Sequence, residues 1–457
     1  MTFSSRRTTR LGLDLSLVLL AAMLLILWLA GGASREDATG QIISRAASWM
    51  AIVTVVLFEQ RLRIGEAKGT ALLLFAAILL CVAQLVPLPP GLWRALPGRA
   101  VFTDTLISPP DLWRPWSLVP GATVNALFSL VVPLAVLVLA TGVRDEQKRW
   151  IPVAVISMIA LALSVGLLQF TGARIVNPLV NGTPGAVDGM IANRNHFALL
   201  LAIGLLIAPV WGVEAGRASR VRVPIALGLI LLLVLTILAS GSRAGIVLGT
   251  IALALGFVVS GHGVKAALRR YPRWVLPAIG VGTVALIAVF VLVSINADRA
   301  ISINRLSEFD TGGDMRSRGL PIVLTINRTY FPAGTGLGSF DPIFRMHEPF
   351  ALLKPSYFNH AHNDFLEILL TSGLPGLLLL IGAIGWWAWR SFNAWRQDAV
   401  LPKLGSGVLL LILLASIVDY PARTPIIMAM ATIAAVWLDS TNGTTSKVPL
   451  RSASRKL

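Results

Sequence analysis

The sequence predicts an all-α, polytopic membrane protein with about twelve transmembrane helices. Three observations predict it. The chain has 457 residues, of which 55% are hydrophobic and only 13% charged, about half the charged fraction that covers a soluble domain. Apolar runs close to the ~20 residues that span a bilayer recur along its length. Short loops rich in Lys and Arg alternate with loops poor in them, as the positive-inside rule requires.

The expected spans lie near 11–31, 42–58, 69–88, 122–142, 150–171, 195–213, 222–240, 244–261, 274–295, 374–392, 404–419 and 424–439. The first follows Arg6, Arg7 and Arg10 as a signal peptide would. Its apolar part is too long for one, and it reads as a retained helix. With the N-terminus inside, one set of loops carries Arg61, Arg63 and Lys68, then Arg144, Lys148 and Arg149, then Arg217, Arg220 and Arg222. Lys265, Arg269, Arg270 and Arg273 continue the set, followed by Arg390, Arg396 and Lys403, and the tail adds Lys447, Arg451, Arg455 and Lys456. The opposite loops hold scattered arginines and almost no lysine. A miscounted helix would invert this pattern partway, so both ends are expected inside. The organisation that follows is helices over 1–295, a large outer loop over 296–373, helices over 374–440 and an inner tail over 441–457.

The net charge of +17 is explained by these loops and by anionic headgroups rather than by nucleic acid. Cys81, the single cysteine, excludes an intrachain disulfide and a thiolate metal site. The outer loop 296–373 carries acidic residues, aromatics, five prolines and a glycine-rich turn, a soluble-like excursion of the kind that is usually functional. Residues 89–120, rich in Pro and Trp, form a smaller outer excursion suited to the interface.

Candidate chemistry gathers on the outer side. Asn359-His360-Ala361-His362-Asn363-Asp364-Phe365-Leu366-Glu367 precedes Gly373-Leu374-Pro375-Gly376. The segment reads as a short helix ahead of a membrane helix opened by Pro375. A histidine there can exchange a proton near neutral pH, held in one tautomer by a neighbouring carboxylate or amide. The alternative is a polar helix start capped by Asn363 or Asp364. Gly241-Ser242-Arg243-Ala244-Gly245 is a tight outer turn. Its arginine either snorkels to the surface or offers a guanidinium fork to a diphosphate. Asp314-Met315-Arg316-Ser317-Arg318 precedes Pro332-Ala333-Gly334-Thr335-Gly336-Leu337-Gly338-Ser339-Phe340, a glycine run that is either a phosphate-approaching backbone or a flexible turn. Asn193-Arg194-Asn195-His196 and Asp419-Tyr420-Pro421-Ala422-Arg423 add ionisable groups to the same face. They read as caps and ion pairs or as part of one site. Glu308, Asp310 and Asp314 lack the spacing of a calcium loop, so no metal site is expected. Glu36-Asp37, in the first outer loop, is a weaker acidic candidate.

These motifs, in this order, resemble the bacterial O-antigen ligases and the O-antigen and exopolysaccharide polymerases of the same superfamily. His362-Asn363 and then Gly373 and Gly376 are similar to that family's large-loop motif. Gly241 to Gly245 is similar to its Ser-Arg-x-Gly turn, and Arg316 stands where its loop arginine precedes the glycine run. The outer segment Pro115-Trp116-Ser117-Leu118-Val119-Pro120 is also similar. Where the family often has Trp after that arginine, this chain has Leu320-Pro321, which leaves Arg318 as the alternative to Arg316.

The resemblance implies a GT-C-like membrane fold and a metal-independent, inverting glycosyltransferase without a cofactor. It implies a periplasmic site on the inner membrane and a donor glycan on undecaprenyl pyrophosphate. The acceptor would be a lipid A core for a ligase, or a second lipid-linked glycan for a polymerase. Arg243 and Arg316 would hold the pyrophosphate, with Arg318, Arg194 and Arg423 as further cations. His362 would act as general base, or His360 in its place, with Asn363 and Asp364 orienting it. A transporter or flippase would instead place ionisable residues in mid-span, where Gln169 is one of few strongly polar residues.

Overall fold

The computed structural model describes residues 13–58, 63–104, 111–213, 219–261, 263, 274, 315–353 and 358–440. The expected span at 274–295, the acidic trio Glu308, Asp310 and Asp314, and the tail lie outside this set, apart from Trp274.

The described chain is all-α apart from a two-residue antiparallel ladder, β1 (Pro87–Leu88) with β2 (Arg114–Pro115). The membrane helices are α1 (Leu15–Ala30), α2 (Thr39–Phe58), α3 (Lys68–Leu85), the broken pair α6 (Pro120–Ser129) and α7 (Val131–Gly142), and α8 (Ile151–Phe170). Then come α9 (Arg194–Val213), α10 (Ser219–Ala239), α11 (Arg243–Val259), α14 (Asp364–Trp395), α15 (Val400–Val418) and α16 (Pro425–Asp439). Between them lie the short α4 (Pro90–Ala95) and α5 (Ala100–Asp104), and, in the loop expected from sequence to be the outer one, α12 (Met315–Tyr330) and α13 (Phe340–His347). Among the described residues, eight apolar segments are long enough to cross a membrane, while α1, α11 and α16 are apolar but shorter. This is the composition of an all-α polytopic membrane protein, since only helices satisfy their own backbone within lipid.

α9 is the central helix, its span 83% buried where the other long spans are 17–56% buried. Leu199, Leu200, Leu205 and Leu206 are fully buried in one core with α1, α7, α8, α11, α15 and α16. A second, smaller core belongs to the outer loop: Val323, Ile326 and Tyr330 of α12, Phe340, Ile343 and Phe344 of α13, and Phe358. Phe358 packs at a tilt against Phe344 at 5.0 Å and against His362 at 5.2 Å, so this core ends on the two-histidine segment.

The bundle has two distinct ends. At one, Asp14 accepts from Arg144 and Glu66 from Lys148, and Asp439 pairs with Arg390. At the other, Ile426 N donates to Gly31 O at 3.1 Å, Ala192 N to Gly32 O at 3.0 Å, and His362 meets Asp419. Arg144, Lys148 and Arg390 of the basic loops and the candidate residues therefore occupy opposite ends.

The glycine-rich run 332–340 is neither a phosphate cradle nor a flexible turn. Gly334, Gly336 and Gly338 do adopt left-handed φ of 75°, 106° and 81°, but the amides that would face a phosphate are already engaged. Gly334 N donates to Tyr330 O, Thr335 N to Leu370 O and Gly336 N to Thr371 O, at 2.8–3.0 Å. Leu337 N donates to Gln84 Oε1 at 2.8 Å. The run straps the outer loop onto α14. The Pro/Trp excursion clasps it from the far side: Trp116 Nε1 donates to Ala333 O at 3.0 Å, and the buried Arg99 donates from Nη2 to Trp116 O at 2.7 Å and Gly334 O at 3.2 Å. Burial pushes the Arg99 guanidinium down to about 10.

Gln84, on α3 and fully buried, ties strap and helix together by accepting from Leu337 N and donating to Thr371 O at 3.0 Å. Gln84→Leu would orphan both groups, at about 1–3 kcal/mol each. The expected result is a lower unfolding midpoint in detergent, read by intrinsic fluorescence. An unchanged midpoint would contradict this role.

Candidate functional site

Four helix starts meet at the candidate end. Asn193 caps α9 locally, its Oδ1 accepting from Asn195 N at 2.8 Å. Ser242 caps α11, accepting from Gly245 N at 2.9 Å, after Gly241 turns the chain at φ 72°. Asn363 caps α14, accepting from Leu366 N at 3.0 Å. Pro425 opens α16. Each start leaves unpaired amides and a partial positive charge.

Asp419, 2% exposed, is the hub. Its Oδ2 accepts from Asn195 Nδ2 at 2.6 Å and Asn193 Nδ2 at 3.1 Å. Its Oδ1 accepts from Tyr420 N at 3.1 Å and lies 3.1 Å from His362 Nδ1. Asn195 in turn accepts from Ser242 Oγ at 2.8 Å. The hub thus joins α9, the turn before α11, the start of α14 and the end of α15. His196, also buried, holds Thr424 Oγ1 at 2.9 Å through Nδ1.

A second carboxylate–histidine pair stands beside the first. His360 Nδ1 is 3.0 Å from Glu367 Oε1, and Glu367 Oε2 accepts from Ala361 N at 2.9 Å. Both imidazoles pack on Tyr420, at 4.2 Å for His360 and 4.9 Å for His362. They differ in backbone: His362 holds a left-handed φ of 49°, which for a non-glycine residue costs about 1–3 kcal/mol and collects at functional sites.

The residues expected to orient His362 are occupied otherwise. Asn363 caps α14 and donates to Ile417 O at 2.9 Å. Asp364 accepts from Ser416 Oγ at 3.0 Å and Ala422 N at 3.2 Å and pairs with Arg423 at 3.4 Å. The carboxylate against His362 is Asp419, 57 residues away. The reason is spacing: Asn363 and Asp364 begin the helix and point to its cap and to the 416–423 turn, while His362 precedes the cap.

Arg423 faces Asp364 and Glu367, each at 3.4 Å. Burial alone would lower its guanidinium, but these two carboxylates outweigh it and hold it above its ordinary value. Its charge is therefore matched within the protein, unlike the substrate cation expected from sequence. Arg243, exposed, and Arg194, half-buried, open α11 and α9 beside the hub, next to Ser242, Asn193 and Asn195. Arg316 lies in the first turn of α12, and its side chain is outside the described set. Arg318 donates to Ala351 O at 3.0 Å, away from the hub. Exposed Asp37 pairs with Arg35 at 2.6 Å. Among the described residues, no group of three or more His, Cys, Asp and Glu is arranged to hold a metal ion.

Asp419→Ala would leave the donors of Asn193, Asn195 and Tyr420 without their acceptor, a cost of about 3 kcal/mol or more. A clear drop in unfolding midpoint is expected, and an unchanged one would remove Asp419 as the hub.

No curated protein matches the chain. A family model described as O-antigen ligase matches residues 227–381, well under half of the chain. That stretch runs from α10 through the Arg243 turn, the glycine strap and the two-histidine segment into α14. Carrying these features in this order, residues 227–381 are similar to the O-antigen ligase family, whose members are glycosyltransferase-like membrane enzymes.

Proposed function

We propose that the chain is an O-antigen ligase-type, metal-independent, inverting glycosyltransferase of the bacterial inner membrane. It takes a glycan from undecaprenyl pyrophosphate and passes it to a lipid A core on the periplasmic face. The observation that carries this reading is the His362–Asp419 pair set between the helix starts that bear Arg194 and Arg243. The basic loops at the opposite end support a cytoplasmic location for that end, with both termini cytoplasmic and about twelve spans in a GT-C-like arrangement.

The roles follow from chemistry. With Nδ1–H donated to Asp419, neutral His362 keeps its lone pair on Nε2. That nitrogen takes the proton of the acceptor hydroxyl as the oxygen attacks the anomeric carbon. The bond from that carbon to the pyrophosphate oxygen breaks, and undecaprenyl pyrophosphate leaves with the electron pair. Attack opposite the leaving group inverts the anomeric centre. Arg243 and Arg194, with Arg316 from the outer loop, counter the charge developing on the leaving group, aided by the helix starts behind them. Asp364, Glu367 and Arg423 hold the start of α14 in place, and His360 stands by on its own carboxylate.

The test is transfer in membranes carrying the intact chain, with undecaprenyl-pyrophosphate glycan as donor and products resolved by gel. Modified lipid A core is the expected product. A ladder of longer lipid-linked glycans would make the protein a polymerase with the same site. Arg243→Ala is expected to lower transfer about 10²–10³-fold by removing charge stabilisation of the leaving group. Full activity in that variant would remove Arg243 from the site.

A further inference from the structure

At the end of the bundle opposite the histidines lies a cavity of about 1710 Å³, larger than the roughly 300–1,000 Å³ of a small-molecule pocket. Its wall is part apolar, including Ile207, Val210 and Val259 of α9 and α11, and part aromatic, including Trp386 of α14. Val258 and Trp389 line it and are 65% and 61% exposed, so the cavity reaches the protein surface beside them.

Its charges are unevenly paired. The lining carboxylates Glu66 and Asp145 both meet Lys148, at 2.8 Å and 2.7 Å. Asp439 meets Arg390 at 3.2 Å and accepts from Thr70 N at 3.0 Å. Lys68, Arg149 and Lys403 also line the cavity, and none of them has a carboxylate partner among the described residues. Asp398 is the remaining acidic lining group. Arg390 is 7% exposed; its Nη2 reaches Asp439 and the Leu438 carbonyl, while its buried Nε has no acceptor in the protein. An unmatched buried donor, three basic groups without a carboxylate partner in a lining that is net positive by one charge, and tryptophans beside an apolar wall are the recognition chemistry of a phosphodiester bearing acyl chains.

We propose that this cavity binds an anionic phospholipid, the phosphate among Lys68, Lys403 and Arg390 and the acyl chains along α9 and α11. The inference stands apart from glycan transfer and is read by binding alone.

The test uses the full-length protein in detergent, with lipid retention followed by native mass spectrometry. Wild type is expected to retain phosphatidylglycerol in preference to phosphatidylcholine. The double variant Lys68→Gln/Lys403→Gln breaks no ion pair among the described residues and is expected to weaken that retention roughly thirtyfold. Arg149→Gln, as an independent single change, is expected to weaken it about fivefold. Equal retention of both lipids by wild type, or unchanged phosphatidylglycerol retention in the variants, would overturn the proposal. Displacement of the lipid by millimolar inorganic phosphate alone would also overturn it, in favour of a free-phosphate site.

Discussion

Replacing His362 with alanine is expected to lower glycan transfer about 10²–10⁴-fold, the range a positioned general base contributes. That factor corresponds to about 3–5 kcal/mol of barrier. The expectation rests on the 3.1 Å contact from Nδ1 to Asp419, which leaves Nε2 as the basic nitrogen. A purely structural account of His362 predicts something else. At φ 49° the residue occupies a left-handed conformation, which alanine tolerates poorly and asparagine well. His362→Asn therefore keeps the backbone and removes the base. If the position matters for folding alone, the asparagine variant should retain transfer while alanine loses it. If it matters for chemistry, both should lose transfer while the asparagine variant unfolds near the wild-type midpoint. His360→Ala separates the two pairs: its partner Glu367 still holds Ala361 N and faces Arg423, so transfer is expected to fall much less. A loss in His360→Ala equal to that in His362→Ala would move the base to the other pair.

The spans were the most legible part of the chain, because an apolar run of bilayer length states its own fate. Each expected span within the described residues contains an apolar helix, including the short one over Leu15–Ala30. The start of α14 was partly legible: a cap at Asn363 or Asp364 and a break before Pro375 follow from local rules, and the cap is Asn363. What sequence could not give was pairing across distance. Asp419 and His362 meet because α15 returns the chain to the start of α14, and nothing in the residues around His362 names a carboxylate 57 positions on. Asp419 was visible only as an ionisable group on the expected face. Gln84 and Arg99 were missed for a related reason. Each is a lone polar residue in an apolar or Pro/Trp-rich stretch, and its meaning lies in carbonyls and amides of the glycine strap more than two hundred positions away. Gln169, read as a stray polar group within a span, accepts from Asp188 N at 3.0 Å and Gly189 N at 2.9 Å and donates to the Asp188 carboxylate. It shapes the loop leading to Arg194. The glycine run was found for its phi angles but misread for its use, since a backbone that could face a phosphate can equally face another backbone.

Gly373→Ala is expected to be the most damaging single methyl addition in the candidate site. Gly373 interrupts α14 at φ 57° and ψ −145°, conformations close to those open essentially to glycine alone, and the backbone strain by itself is about 1–3 kcal/mol. The added Cβ would also press into the carbonyl oxygen of Pro332, with the Ala333 carbonyl carbon 2.7 Å away. These are backbone atoms that cannot rotate aside. They belong to the strap whose bonds to Leu370 and Thr371 fix the first turns of α14, and Leu374 N donates to that same Pro332 oxygen at 2.9 Å. Relief of the clash must therefore slide the strap or tilt the 364–372 turns, which carry Asp364 and Glu367 and follow directly on His362. A misplacement of about 1 Å in a catalytic arrangement can cost some 10²-fold in rate. The variant is expected to lose both unfolding midpoint and transfer, with the loss of transfer exceeding what reduced folded protein explains. Gly385→Ala is the control on the same helix. No heavy atom lies within 4 Å of its added Cβ, and the change relieves a mid-helix glycine, so stability should hold or rise by up to about 1 kcal/mol with transfer unchanged. If Gly373→Ala behaves like Gly385→Ala, the strap does not set the position of the two-histidine segment, and the site must be held by the Asp419 hub alone.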